Sequence, residues 1–209
     1  MSDVKKAYRL LKRALASRKA VQRVRRRLAE REPHQPEHYQ VAVYFADGDV
    51  NMYQMRQWYR PLAELSKRWP VVVLSRSATG ADKLLDEDGP PVAFVPTIRD
   101  LERFISSQDI RVVLYVNQNT RNFQMFRYGR RWHVFINHGE SDKMYMTTNQ
   151  YKAYDYALVA GQAARDRLSR TLWDWDIDRR TIEIGRPQAD HYSGTCLLYT
   201  SDAADDTPC

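Results

Sequence analysis

Short runs of aliphatic and aromatic residues alternate with longer amphipathic stretches over most of this chain, and this alternation constrains its fold more than any other feature. Strands are predicted over residues 39–45, 71–74, 92–95, 112–116, 132–137, 155–160 and 181–184. Helices are predicted between them over about 52–68, 98–107 and 162–172, and Thr97 is expected to cap the second of these. Strands made almost wholly of Val, Leu, Ile and Phe are typical of burial on both faces. The pattern therefore favours an α/β fold with a doubly wound parallel sheet over residues 34–195, which binds ligands beyond the carboxyl ends of its strands.

The N-terminal segment 1–33 is a separate predicted element, a basic amphipathic helix that Pro33 and Pro36 bring to an end. Its apolar side chains recur mostly three, four or seven residues apart and form one stripe: Val4, Tyr8, Leu11, Leu15, Val21, Val24 and Leu28. Residues 1–32 carry 12 Lys or Arg and three acids, so the other 177 residues have a net charge of −2 although the whole chain has +7. The basic surface is therefore confined to this helix and does not spread over the domain.

Composition and missing motifs exclude several classes of protein. No stretch of the sequence reaches the roughly 20 consecutive apolar residues of a membrane-spanning helix, and no apolar signal-peptide core is expected at the N-terminus. Both cysteines, Cys196 and Cys209, lie near the C-terminus, so neither a disulfide framework nor a cysteine-based metal site is expected. The sequence has no GxGxxG, no P-loop and no HExxH motif, and its histidines lack ligand spacing, so we predict no metal site and no cofactor.

Polar residues follow directly on the fifth predicted strand, where a sheet of this kind binds ligands. They are Asn137, His138, Gly139, Glu140, Ser141, Asp142 and Lys143. His138 is the side chain best suited to exchange a proton near neutral pH, and Gly139 allows a sharp turn and a close ligand approach. Ser141 and Lys143 are suited to hold a phosphate. The plainer interpretation is a loop in which His138 makes a structural hydrogen bond and Asp142 and Lys143 form a solvated ion pair.

Two other strand ends are expected at the same edge of the sheet. Asn119 follows the fourth strand, and Gly161 and Gln162 follow the sixth. These residues could line one cleft together with the loop that carries His138. Gly161 would also open a helix whose N-terminus attracts anions, although a plain strand-to-helix turn is the alternative there.

Four segments resemble the CDP-glycerol glycerophosphotransferase family, to which the teichoic-acid primases and polymerases belong. They are residues 138–143 (HGESDK), 149–155 (NQYKAYD), 159–167 (VAGQAARDR) and 182–188 (IEIGRPQ), and the likeness is specific over about residues 110–190. The resemblance implies a Rossmann-like N-terminal half of a two-domain, glycosyltransferase-B-type fold, with the active site between the domains. It also implies that His138, with Gly139 beside it, deprotonates the acceptor hydroxyl. The best-known members continue the His-Gly pair with Thr-Pro, which leaves the acceptor and the roles of Ser141 and Lys143 in this chain open.

The resemblance further implies a reaction in teichoic-acid-type synthesis of cell-wall polymers. A hydroxyl of a lipid-linked polyol-phosphate acceptor attacks the β-phosphorus of CDP-glycerol or a similar CDP-activated donor, and CMP leaves. The CDP part of the donor binds mainly to the second domain. Two alternatives stay open: a two-domain glycosyltransferase that uses a nucleotide sugar, and a non-enzymatic α/β binding module with a basic arm.

The basic helix fits this setting, because such enzymes act on lipid-linked polymers at the cytoplasmic face of the cell membrane. We expect it to bind an anionic membrane surface peripherally, through Lys5, Lys6, Arg9, Lys12, Arg13, Arg25, Arg26 and Arg27. One alternative is a helix that packs on the domain and keeps a solvated charged face. The other is binding to nucleic-acid phosphates, but nucleic acid is not an expected partner.

Residues 196–209 read as translated sequencing adapter rather than natural protein, from the run Cys196-Leu197-Leu198-Tyr199-Thr200-Ser201 onward. An ordinary acidic tail is the alternative. We expect the natural sequence to continue beyond about Thr195, the nucleotide-binding second domain to be missing, and the 209-residue chain to be inactive by itself.

Overall fold

A computed structural model describes residues 3–31, 38–139 and 147–189, apart from the side chains of residues 3, 4, 6, 13 and 188. The predicted site residues Ser141, Asp142 and Lys143 lie outside the described residues, as does the predicted adapter segment 196–209.

Parallel strands form one seven-stranded sheet in the order β3-β2-β1-β4-β5-β6-β7. The strands are β1 (Val41–Phe45), β2 (Val71–Ser75), β3 (Val92–Phe94), β4 (Val112–Tyr115), β5 (Trp132–Phe135), β6 (Tyr156–Val159) and β7 (Thr181–Glu183). The α-helices are α1 (Asp3–Ala29), α2 (Met52–Arg56), α3 (Tyr59–Ser66), α4 (Ala78–Leu84), α5 (Ile98–Ser107), α6 (Gln162–Thr171) and α7 (Ile177–Arg180). The predicted α/β fold, a doubly wound, Rossmann-like parallel sheet preceded by an N-terminal helix, is confirmed.

Both faces of the sheet are buried, because helices cover each of them. In β1, Ala42 and Tyr44 belong to one core with residues of α5 and α6, whereas Val41, Val43 and Phe45 belong to the opposite core with residues of α2, α3 and α4. This arrangement explains why the strand sequences are continuous apolar runs. It also fixes the strand register, since a slip of one residue would exchange the two faces.

The helix predicted over residues 52–68 is in fact two helices, α2 and α3, with Trp58 between them. Pro61 explains the break, because it has no amide N–H to donate to the carbonyl of Gln57 and its ring would collide with that carbonyl in a continuous helix. The chain turns instead at Trp58, whose amide donates to the carbonyl of Met55 at 2.9 Å. Pro61 then lies in the first turn of α3, where the missing N–H costs little.

Two side chains cap helices that follow strands. Thr97 caps α5 as predicted: its hydroxyl accepts the amide of Asp100 at 3.1 Å, and the carboxylate of Asp100 accepts the amide of Thr97 at 3.2 Å. Ser77 caps α4 by accepting the amide of Gly80 at 3.4 Å. Neither α4 nor the single-turn α7 was predicted from the sequence, and for α4 the reason is that a glycine inside a short helix weakens the helical pattern.

The second half of α1 packs on α4. Val24 is fully buried, and Leu28 packs against the same small cluster, which includes Ala81 and Leu85. The packed-helix interpretation therefore applies to this half of α1. Among the described residues, no helix is both long enough and apolar enough to cross a bilayer.

Ion pairs reinforce this contact between α1 and α4. Arg27 donates to the carboxylates of Asp82 at 2.6 Å and Asp86 at 2.7 Å, and Arg23 reaches Asp82 at 2.5 Å. Burial alone would raise the pKa of Asp82, but the hydrogen bonds and charges of the two arginines hold it below its usual value. The same arrangement raises the pKa of Arg27, chiefly through its hydrogen bond to Asp82.

The imidazole of His133 is buried in an aromatic cluster beneath β5. Its Nδ1 lies 2.7 Å from the hydroxyl of Tyr115, and the ring of Phe126 packs edge-on at a centroid distance of 4.9 Å. The amide of His133 donates to the carboxylate of Asp155 at 2.8 Å. Burial lowers the pKa of His133, so the folded protein favours the neutral ring.

We predict that the protein loses stability at mildly acidic pH, because the unfolded chain protonates His133 more readily than the folded protein does. The contribution is complete above about pH 6.5 and is lost as the pH falls below that value, with a slope of up to about 1.4 kcal/mol per pH unit for one proton. Urea unfolding between about pH 8 and pH 5 measures the slope. His133→Asn should reduce it, whereas His38→Gln, at an exposed histidine, should leave it unchanged. Equal slopes for the wild type and His133→Asn would contradict this account.

Candidate functional site

A cleft of ≈ 240 Å³ lies at the carboxyl edge of the sheet. In the sheet, β2 and β3 lie on one side of the neighbouring strands β1 and β4, and β5, β6 and β7 lie on the other side. The loops that follow β1 and β4 therefore diverge. Such a reversal of strand order is where open α/β sheets bind ligands. The described residues that line the cleft are polar apart from one phenylalanine: Asp47, Asn51, Gln54, Asn117, Gln118, Asn119, Phe135, Asn137 and His138.

His138 follows β5 and is half-buried at the wall of the cleft. Its Nδ1 lies 3.0 Å from the carbonyl oxygen of Val116, at the end of β4. Because a carbonyl can only accept, Nδ1 carries the hydrogen of the neutral ring, and Nε2 is the basic nitrogen. Burial lowers the pKa of His138 and outweighs the hydrogen bond to Val116, which favours the protonated ring. His138 therefore has the neutral state and the fixed tautomer that a general base requires.

Asn137 turns the chain at the end of β5. Its φ of 56° lies in the left-handed region, which Asn tolerates better than most residues, and Gly139 has a φ of 159°, which residues with a side chain rarely adopt. The side-chain oxygen of Asn137 accepts the amide of His138 at 2.8 Å, and its carbonyl accepts the indole N–H of Trp58. Asn137 therefore turns the chain at this point, and the indole that binds it comes from the break between α2 and α3.

Asp47 lies opposite this turn, just after β1. Its Oδ2 accepts a hydrogen bond from Nδ2 of Asn117 at 2.5 Å, and its Oδ1 accepts one from Nδ2 of Asn119. Asn119 is held in turn by its own side-chain oxygen, which accepts the amide of Arg121 at 2.8 Å. Two asparagines of the loop after β4 thus donate hydrogen bonds to the carboxylate, one to each oxygen.

Hydrogen bonds continue from this carboxylate toward the imidazole. Nδ2 of Asn117 also donates to Oε1 of Gln54 at 2.6 Å, and Nε2 of Gln54 donates to the hydroxyl of Tyr53 at 3.0 Å. The ring of Tyr53 meets the ring of His138 edge-on, with centroids 5.8 Å apart. Side chains from β1, α2, β4 and β5 are therefore held in one connected arrangement.

Gly80 of α4 allows the turn after β1 to lie against this helix. A Cβ at position 80 would stand 2.4 Å from the carbonyl oxygen of Asp47 and 3.5 Å from Cα of Gly48. Both atoms belong to the backbone and cannot swing away as a side chain would. The absence of a side chain at Gly80 thus sets the position of Asp47.

The structure brings some of the predicted site residues together. Asn119 and His138 line the same cleft, whereas Gly161 and Gln162 are not among the described residues that line it. Gln162 is exposed and donates to the carboxylate of Asp166 on its own helix at 2.7 Å. The predicted phosphate-binding residues that follow Gly139 belong to the segment outside the described residues.

The basic residues of α1 fall into two groups. Lys5, Arg9 and Lys12 lie on the first half, which exposes four large apolar side chains: Tyr8, Leu10, Leu11 and Leu15. On the second half, Arg25 and Arg26 are exposed, whereas Arg27 is bound to the carboxylates of the domain. The side chains of Lys6 and Arg13 lie outside the described ones.

Asp47 and Gln54 were not predicted from the sequence. The pair Asp47-Gly48 directly after the first strand carries the same signal as the strand ends that were chosen, a polar residue and a glycine beyond an apolar run. Gln54 carries no such signal, because it lies inside a helix and reaches the cleft only through the packing of α2 on the sheet.

Comparisons with known proteins do not assign this chain to a family. No protein-family model matches the chain, and no curated protein matches it. Within the part of the chain that the structure describes, no group of three or more His, Cys, Asp or Glu side chains is placed to hold a metal ion.

We predict that Gly80→Ala destabilises the protein by about 1–3 kcal/mol, although Ala is the better helix former by about 1 kcal/mol. The reason is the collision of the new Cβ with the carbonyl of Asp47. Denaturant unfolding followed by tryptophan fluorescence measures the change. Gly129→Ala is the matched control, because a Cβ there meets nothing within 4 Å, and it should change stability by less than about 0.5 kcal/mol. A Gly80→Ala variant as stable as the control would refute the close approach.

Proposed function

We propose that this chain is the acceptor-binding half of an enzyme that transfers glycerol phosphate, or a similar polyol phosphate, from a CDP-activated donor to a membrane-linked acceptor. One observation carries the proposal: a neutral His138 with a fixed tautomer lines a cleft of mostly polar side chains at the reversal of strand order. The resemblance of residues 138–143 to the CDP-glycerol glycerophosphotransferase family supports it. A second domain, implied by the same resemblance, supplies most of the donor site.

His138 performs the proton transfer in the proposed reaction. Nε2 takes the proton of the acceptor hydroxyl while its oxygen forms a bond to the β-phosphorus of the donor. The bond between that phosphorus and the bridging oxygen breaks, and CMP leaves with the bonding electrons. The carbonyl of Val116 keeps Nδ1 protonated and stabilises the charged ring that results. Since phosphoryl transfer depends mainly on positioning, a base of this kind contributes on the order of 10²–10⁴-fold.

A nucleotide-sugar glycosyltransferase is the second candidate, because a cleft lined by a carboxylate and several amides also suits the hydroxyls of a sugar. The leaving group separates the two reactions. Release of CMP supports glycerophosphate transfer, and release of a nucleoside diphosphate supports sugar transfer. No turnover with either class of donor would favour a binding module.

We further propose that α1 attaches the domain to an anionic membrane surface at the cytoplasmic face. Its first half combines Lys5, Arg9 and Lys12 with exposed apolar side chains, of which Tyr8 is 66% and Leu11 61% exposed. Each Lys or Arg near an anionic surface adds about 1 kcal/mol of attraction, and the apolar side chains enter the interface. Because Arg27 binds Asp82 and holds the second half of α1 on the domain, a membrane-bound α1 also keeps the domain at the membrane.

We predict that His138→Ala lowers turnover by about 10²–10⁴-fold in the protein that carries the second domain, without loss of the fold. The measurement is CMP release from CDP-glycerol with a polyol-phosphate acceptor, together with the unfolding midpoint of each variant. Because burial lowers the pKa of His138, kcat/KM of the wild type should be level near pH 7 and fall only below about pH 6.5. His38→Gln is the control and should retain full activity. A fully active His138→Ala variant would refute the role of the imidazole.

We predict that the 209-residue chain sediments with vesicles of anionic lipid at low salt, and neither with neutral vesicles nor in high salt. The double substitution Leu11→Asp and Leu15→Asp should abolish sedimentation, since both side chains are exposed on α1. Val50→Asp, at an exposed apolar residue of the domain, should not. Unchanged binding by the double variant would show that the apolar stripe is not inserted, and tighter binding to duplex DNA than to vesicles would favour a nucleic-acid role.

A further inference from the structure

The charge of the cleft limits what can occupy it. Of its described lining residues, Asp47 is the only carboxylate, and none is Lys or Arg. A phosphate group is an anion with acceptor oxygens only, so this carboxylate repels it and offers it no hydrogen. A hydroxyl group is neutral and can donate to the carboxylate. This part of the cleft is therefore suited to hydroxyl-bearing carbon and not to a phosphate.

Two amide hydrogens hold the carboxylate of Asp47. Each oxygen accepts one of them, from Asn117 on one side and Asn119 on the other. A carboxylate has about four acceptor positions, so with respect to the described residues each oxygen retains one. Two hydroxyls on adjacent carbon atoms are the donor pair that such a carboxylate takes in a two-pronged contact.

The arrangement also relates this carboxylate to the base. The hydrogen bonds from Asp47 through Asn117 and Gln54 to Tyr53 end at the ring that packs against His138. Asp47 and His138 thus line one cleft from the ends of β1 and β5, with the end of β4 between them. A small polyol held by Asp47 lies in the same cleft as the nitrogen that accepts the proton.

We infer that Asp47 is a substrate-binding residue that holds adjacent hydroxyls of the terminal polyol of the acceptor and distinguishes a free polyol end from one capped by phosphate. The inference rests on the proposed function and deepens it, since it names the part of the acceptor that this cleft takes. The charged phosphates of the acceptor then lie outside the part of the cleft that Asp47 lines.

Binding of two small probes to the 209-residue chain tests this inference directly. Glycerophosphoglycerol has a vicinal diol at each end, and dipropyl phosphate is a phosphodiester of similar size without hydroxyls. Ligand-observed NMR should detect binding of the first and not of the second. Equal binding of the two probes, or no binding of glycerophosphoglycerol, overturns the inference, and neither comparison depends on a variant that must fold.

Asp47→Asn then tests the residue itself. Loss of the charge should weaken the binding of glycerophosphoglycerol about tenfold or more, because an amide cannot replace both acceptor oxygens. Asp49→Asn is the matched control, an exposed carboxylate two residues away, and should bind as the wild type does. Circular dichroism and the unfolding midpoint show whether each variant is folded. A folded Asp47→Asn variant with unchanged affinity for the diol overturns the inference.

Kinetics with the protein that carries the second domain separates this inference from the proposed function. Asp47→Asn should raise the KM for the acceptor about tenfold and lower kcat much less, in contrast to His138→Ala, which lowers kcat. Turnover with an unchanged acceptor KM in Asp47→Asn overturns the role of Asp47 and leaves the proposed function intact. Charge-dependent diol binding without any CMP release has the opposite meaning: it supports the binding role of Asp47 and overturns the proposed reaction.

Discussion

The parallel pairing of β1 with β4 is the constraint on which the rest of the structure depends. The register sets Val43 opposite Leu114, so the two loops leave the sheet at the same level, and they diverge because later strands are added on opposite sides of this pair. The gap between these loops is the cleft. The end of β4 then serves two purposes: the carbonyl of Val116 orients the imidazole, and Asn117 and Asn119 orient the carboxylate.

Burial and hydrogen bonding act in opposite directions on the imidazole of His138. Partial desolvation disfavours its charged form, whereas the carbonyl of Val116 favours it, and the balance leaves the ring neutral but ready to accept a proton. His133, two strand residues and a turn earlier, shows the difference that surroundings make. Its ring packs against Tyr115 and Phe126 and is part of the core, whereas His138 lines the cleft. The sequence alone does not distinguish these two histidines, since both lie on or just after the same strand.

Sequence patterns predict the structure that depends on neighbours along the chain, but not the structure that depends on packing. The order of strands and helices and the cap at Thr97 follow from local periodicity and a local hydrogen bond, and both are confirmed. The break at Trp58 also had a local signal, in Pro61, that the helix prediction did not use. The left-handed turn at Asn137 was not predicted, because the indole N–H that binds its carbonyl comes from Trp58, which is distant along the chain.

The sequence by itself determined the parallel α/β class, the basic amphipathic α1 and the position of His138 just beyond a buried strand. Each of these follows from the spacing of apolar and polar residues over one or two turns or strands. Only the tertiary structure decided that Asp47 and Gln54 join His138 in one cleft and that half of α1 is docked while its other half is exposed. The physical reason is distance along the chain: the bonds from Asn117 to Gln54 and to Asp47 span 63 and 70 residues, and no local pattern specifies which polar groups a folded sheet brings together.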